Sequence, residues 1–273
     1  MAAEPAANTN QPGTTFATQL AEALDRDQFF LVYQPTIDLQ TNAFAGVEAL
    51  IRWRHPDRGV LTPDAFIDEL ETSGQILPVG RWALDTACAQ GSAWHDKGYR
   101  FAVSLNVAKR QLSSDDFVAD VTHALTTSRF DASLLVLEFT QETLLSEAEV
   151  ASTRLTELRG LGVRFAVDDF VPGESALDQL EKFDIDIVKL NRDFVADISS
   201  SEESASLVHG LVELSETRHV QVVASGIEDT AQRETLQSEM VHVGQGYLFS
   251  KPHEAEVIDR FLEDFAIFSG KPL

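Results

Sequence analysis

Glu48, Asn106, Glu138, Asp168 and Asp169 carry hard oxygen donors, and each sits in or just after a short apolar run of this 273-residue chain. Such donors suit Mg²⁺ or Mn²⁺, with Ca²⁺ as a further candidate, because hard cations prefer carboxylate and amide oxygens. Glu48, Asn106, Glu138 and Asp168 make one candidate set, and Asp169 is available to a second ion beside Asp168. Any one of them alone could instead cap a helix or pair with a surface base. Gathered in one buried place, carboxylates repel one another unless a cation compensates them.

Two bases stand among these acids. Arg52 follows Glu48 by four residues, so on a strand the two share a face, and its planar fork can meet a phosphate oxygen. Lys189, near the end of the run 185–190, could orient a water or neutralise a phosphate. The alternatives are an ordinary surface base for Arg52 and a snorkelling chain for Lys189. His55, His219 and His242 share no metal-ligand spacing, and no serine or cysteine stands near a histidine in a nucleophile motif. The stretch 243–247 around Gln245 is too short to cradle a phosphate on its own.

The elements that must position these residues follow from the apolar pattern. Runs at 29–33, 45–51, 101–105, 134–139, 163–167, 185–190, 220–224 and 241–246 alternate with stretches of helical period, among them 81–94, 149–159, 204–214 and 230–236. Eight such runs suit a closed (β/α)8 barrel of the TIM type, an α/β fold whose strand ends converge on one mouth. The link 35–44 is too short for a crossover helix, so the first two strands are expected to pair antiparallel. Residues 1–15, rich in Ala, Asn, Pro and Gly, are expected to be a disordered lead. No composition break marks a second domain, so residues 16–270 are expected to form one barrel domain.

A formal charge of −23 repels nucleic-acid backbones and anionic lipid headgroups, so any phosphate site must be locally cationic. No run approaches the roughly 18 apolar residues of a membrane span, and the first residues lack a basic stretch and an apolar core, so no membrane insertion and a cytoplasmic location are expected. Cys88 is the only cysteine and reads as a packing residue of a helix.

The motifs Tyr33-Gln34-Pro35, Glu48-Ala49-Leu50-Ile51-Arg52-Trp53, Leu137-Glu138-Phe139-Thr140, Val167-Asp168-Asp169-Phe170 and Gln245-Gly246-Tyr247-Leu248-Phe249-Ser250 resemble, in order and spacing, those of the EAL domain family. The resemblance runs from about residue 29 to about residue 265. It implies a barrel with an antiparallel first strand, and hydrolysis of cyclic di-GMP to pGpG by a water held between two Mg²⁺ or Mn²⁺ ions. It implies Glu48, Asn106, Glu138 and Asp168 as first-metal ligands, Asp169 as the second-metal ligand and Lys189 as the residue orienting the water. Gln34, Arg52 and Gln245 are implied on the nucleotide.

The departures from the family pattern cluster on one mechanism. Ser225, in Ala224-Ser225-Gly226-Ile227-Glu228, stands where the family carries its general-base glutamate, and a serine hydroxyl cannot take a proton near neutral pH. Val171-Pro172-Gly173-Glu174-Ser175 replaces the family's Gly-Thr-Gly-Tyr-Ser, Gln141 stands for a loop-anchoring glutamate, and Asn191 for the aspartate after the lysine. The resemblance so amended predicts a catalytically impaired cyclic di-GMP receptor or a protein-interaction module, using one metal ion rather than two. A weak metal-dependent phosphodiesterase, and a protein-binding domain that has lost the nucleotide, are the other readings. The family also implies a homodimer, a regulatory protein partner and fusion to sensory or cyclase domains.

Overall fold

Short runs of β-branched and aromatic residues form strands here because side chains of that shape pack on a pleated, half-buried surface. The computed structural model describes residues 15–172 and 178–269. Its strands are β1 (Phe29–Asp38), β2 (Phe44–His55), β3 (Gly59–Leu61), β4 (Ala102–Asn106), β5 (Leu135–Thr140), β6 (Arg164–Phe170), β7 (Ile187–Leu190), β8 (Gln221–Ala224) and β9 (Val243–Gly244). They form one sheet in the order β1-β9-β8-β7-β6-β5-β4-β2-β3, and pairing of β1 with β2 closes it. β3 pairs only with the far end of β2, so the ring has eight strands and β3 lies outside it.

β1 runs antiparallel to both of its neighbours, whereas β2 and β4 through β9 run parallel around the ring. This is the (β/α)8 barrel with an antiparallel first strand that the short first connection requires. β1 extends beyond the expected run and passes through Pro35 to Asp38. The backbone N–H of Tyr33 points away from β2 to the His253 carbonyl, and that of Leu39 to the His242 carbonyl. Pro35 has the same parity, so its missing N–H falls in the gap between those partners, where no ladder bond is lost.

Helices Ile76–Asp96, Ala148–Gly160, Glu202–Arg218 and Thr230–Ser238 cover the expected helical stretches, joined by Phe117–Ser128 and Ala255–Ser269. Cys88 is fully buried on the first of these. The expected disordered lead lies outside the described residues except for Thr15, whose hydroxyl accepts from the Thr18 N–H and caps a helix at Phe16–Ala23. That helix packs Leu20 and Ala23 against Phe29, Trp53, Phe66 and Leu70, a cluster separate from the main core. No helix among the described residues is long and apolar enough to cross a membrane.

Inside the ring, Val136, Ala166, Ile187, Val223 and Val243 form a small apolar layer, and the larger aromatics Phe139 and Phe165 face outward to the helices. Close strand approach depends on Gly46, where an added Cβ would stand 2.6 Å from the Ala102 carbonyl oxygen of β4. Gly46→Ala must push β2 off β4 and is expected to destabilise the domain by roughly 1–3 kcal/mol, read as a lower urea midpoint at unchanged slope.

Candidate functional site

Strand register gathers the polar residues. Gln34 stands opposite Glu48 across β1 and β2, Asn106 opposite Glu138 across β4 and β5, and Thr140 opposite Asp168 across β5 and β6. The β6–β7 register shifts between Val167 and Phe170, and Asp169 has φ +54°. A bulge of this kind re-aims side chains at the end of a strand.

Lys189 is the centre of the arrangement. Its Nζ lies 3.0 Å from Glu48 Oε2 and 3.5 Å from Asp168 Oδ1, and also donates to Glu138 Oε2. Asn106 Nδ2 donates to Glu48 Oε1 at 2.7 Å, and Gln245 Nε2 donates to Glu48 Oε2 at 2.8 Å and to Gln34 Oε1 at 3.2 Å. Gln34, Glu48, Glu138, Lys189 and Gln245 are all buried.

One cation among three acids leaves a charge surplus. Burial and the Glu48 charge push the Glu138 carboxyl up to about 8, and burial raises Asp168. Burial opposes the charge of Glu48 as well, but Lys189 and the hydrogen bonds from Gln245, Lys189 and Asn106 prevail and hold it below its ordinary value. Burial alone would lower Lys189, yet the three carboxylates together hold it well above the ordinary lysine range. Of the two buried glutamates, the proton is therefore favoured on Glu138 over Glu48.

These donors fit a divalent cation by type, and the raised Glu138 marks excess negative charge that such an ion would relieve. As they stand, the acidic, histidine and cysteine side chains of the described residues form no group of three placed to hold a metal ion, and Lys189 Nζ fills the point that Glu48, Glu138 and Asp168 share. An ion would compete with Lys189 for the same oxygens.

The mouth above this network is a cavity of about 240 Å³ whose wall includes Glu48, Asp168, Asp169, Lys189, Ser225 and Gln245. Asp169 is exposed and accepts from Asn191 Nδ2 at 3.3 Å. Asn191 also caps the helix Arg192–Ala196 through its Oδ1, accepting from the Asp193 and Phe194 N–H groups. Ser225 Oγ is buried and has no hydrogen-bond partner among the described residues. The turn that carries it is fixed by a reciprocal cap in which Asp229 accepts from the Gln232 N–H and Gln232 Oε1 accepts from the Glu228 and Asp229 N–H groups.

Arg52 stands apart from the carboxylates. β2 pairs with β4 only over Gly46–Ala49 and with β3 over Trp53–His55, so the strand leaves the ring before Arg52. The side chain is half-buried in a neighbouring cleft of about 600 Å³ with Phe30, Val60 and Lys251, and its Nη1 donates to the Ile51 carbonyl. Tyr247 borders both cavities. Gln141 is the first residue of the helix Gln141–Ser146, Val171 is exposed, and Gly173, Glu174 and Ser175 of the altered loop lie outside the described residues. Sequence reasoning gave no role to Arg192 or Gly226, which also border the mouth; their signal was position, directly after a strand-ending polar residue.

A family model described as the EAL domain matches residues 17–252. The chain belongs to the EAL domain family. The signaling protein YkoW of Bacillus subtilis (strain 168) is 33% identical over 243 residues, covering 89% of this chain and 30% of YkoW. The cyclic di-GMP phosphodiesterase PdeR of Escherichia coli (strain K12) is 34% identical over 248 residues, covering 91% of this chain and 37% of PdeR. The chain thus spans about a third of the length of these curated relatives. The solved c-di-GMP complex of the PaMucR phosphodiesterase superposes with a TM-score of 0.83 at 34% identity, covering 88% of this chain and 98% of that one.

The raised Glu138 of this EAL domain has a stability consequence in the absence of metal. Its folded pKa of about 8 lies above the ordinary carboxyl value of 4.5. The folded state therefore holds a proton that the unfolded state releases between those values, and stability falls as pH rises through that window. The melting temperature of metal-free wild type is expected to drop relative to Glu138→Gln between about pH 5 and pH 8; parallel curves for the two proteins would remove the assignment.

Proposed function

We propose that this EAL domain binds cyclic di-GMP at the barrel mouth, aided by a divalent cation, and serves as a receptor whose own hydrolytic activity is impaired. The observation that carries the reading is Ser225. The residue borders the mouth and its buried hydroxyl has no hydrogen-bond partner among the described residues, at the position where the family motif has a general-base glutamate. No other described group takes over that task. Glu228 also borders the cavity but lies exposed on the turn three residues beyond Ser225, and Asp169 is held by Asn191.

Support for nucleotide binding comes from the similarity to PdeR, a cyclic di-GMP phosphodiesterase, from the PaMucR complex and from the network around Lys189. Glu48, Asn106, Glu138 and Asp168 would hold Mg²⁺ or Mn²⁺. A bound ion would supply positive charge to the phosphodiester and acidify a water. One ion rather than two fits a mouth in which Ser225 offers no carboxylate beside Asp169. Arg52 faces its own cleft with a planar fork suited to a phosphate oxygen, while Lys189 keeps Glu48 and Glu138 from repelling one another.

Without a positioned base the rate falls by ~10² to 10⁴. Incubation with cyclic di-GMP and Mn²⁺, followed by chromatography, is expected to give little pGpG from wild type and at least ~100-fold faster release from Ser225→Glu. Rapid release by wild type, lost in Glu48→Ala, would instead make the domain a working phosphodiesterase. EDTA is expected to weaken cyclic di-GMP binding measured by calorimetry, since bare carboxylates repel the two phosphates; equal affinity with and without chelator speaks against a metal.

A further inference from the structure

Arg192 is a cation of the mouth that neither the carboxylate network nor the metal accounts for. It opens the short helix Arg192–Ala196, immediately after the strand that carries Lys189. Its stem lies flat on the backbone of Gly226, where an added Cβ would stand 2.3 Å from Arg192 Cγ. Gly226 has φ +79°, a conformation in which glycine is the unstrained residue. The glycine therefore leaves room for the arginine stem on the rim.

The head of Arg192 is held only loosely. Its Nη2 lies 2.6 Å from Glu228 Oε1, and the two side chains are 65% and 50% exposed. A pair so open to water contributes little and exchanges readily. A phosphodiester offers the same fork two oxygens sharing one negative charge, an acceptor that can replace the carboxylate. Lys189, by contrast, is committed to three buried carboxylates. That leaves Arg192 as the remaining cation among the described residues bordering this acidic mouth.

A cyclic dinucleotide has two phosphates; Arg192 borders the mouth, Arg52 and Arg260 border the neighbouring cleft, and Tyr247 is common to both walls. We propose that Arg192 is a second phosphate-binding arginine, which releases Glu228 to take one phosphodiester of cyclic di-GMP while Arg52 takes the other across Tyr247. This rests on the receptor reading. Glu228 then acts as a placeholder that competes with the ligand for the guanidinium.

Two variants that break the same ion pair separate this role from a structural one. In calorimetric titration of the full chain with cyclic di-GMP and Mg²⁺, Arg192→Ala is expected to weaken binding by ~10- to 100-fold, the worth of a charged hydrogen-bonded contact. Glu228→Gln, which frees the guanidinium, is expected to bind as well as wild type or up to ~5-fold more tightly. Weaker binding in both variants, or unchanged binding in Arg192→Ala, overturns the proposal and makes the pair a brace of the rim. No binding by wild type itself removes the receptor reading and this proposal together.

Discussion

A single ammonium group buried among three carboxylates is the constraint around which the barrel mouth is organised. Lys189 reaches Glu48 on β2, Glu138 on β5 and Asp168 on β6, so one side chain ties four strands together across the lumen. Ion pairs of this depth stand only when the remaining lone pairs are satisfied. Asn106 and Gln245 do that for Glu48, and Gln34 anchors Gln245 in turn. The negative charge left over is what a divalent cation would relieve, and with burial it is the reason the Glu138 carboxyl is pushed up to about 8.

The backbone serves this cluster by departing from regularity where the site needs it. The antiparallel β1 closes the ring and brings Gln34 beside Glu48. The register shift in β6 separates Asp168, which faces Lys189, from Asp169, which faces Asn191. Asn191 in place of an aspartate is consistent with that second contact, since an amide can donate to Asp169 where a carboxylate would repel it.

The ring was legible in the sequence because its strands are continuous apolar runs, each ended by a polar residue, and the short 35–44 link dictated the antiparallel pair. The inward set Glu48, Glu138, Asp168 and Lys189 was legible for the same reason, since polar side chains at strand ends have one place to converge. Arg52 shares a face with Glu48 by parity, but β2 has parted from β4 before Arg52 and meets β3 only after it, so the cleft it lines depends on strand pairing, a property of distant chain. β3 is three residues long and the helix Phe16–Ala23 only eight, too brief for periodicity to stand out, although Thr15 before Phe16 and Leu20 is a cap signal. The Ser225 hydroxyl, without a partner among the described residues, and the reach of Arg192 depend on how loops meet, which spacing along the chain does not encode.

The segment between Gln245 and His253 is pinned at both ends. Gln245 N–H binds the Ala224 carbonyl, Leu248 N–H binds that of Ile227, and His253 exchanges two backbone hydrogen bonds with Tyr33. Tyr247 stands on this strap as a ridge between the two cavities. The backbone beneath that ridge is fixed by the barrel, so the separation of the two cavities is set by the fold and not by an occupant: for any molecule that straddled it, the strap would act as a ruler of the distance between charged groups.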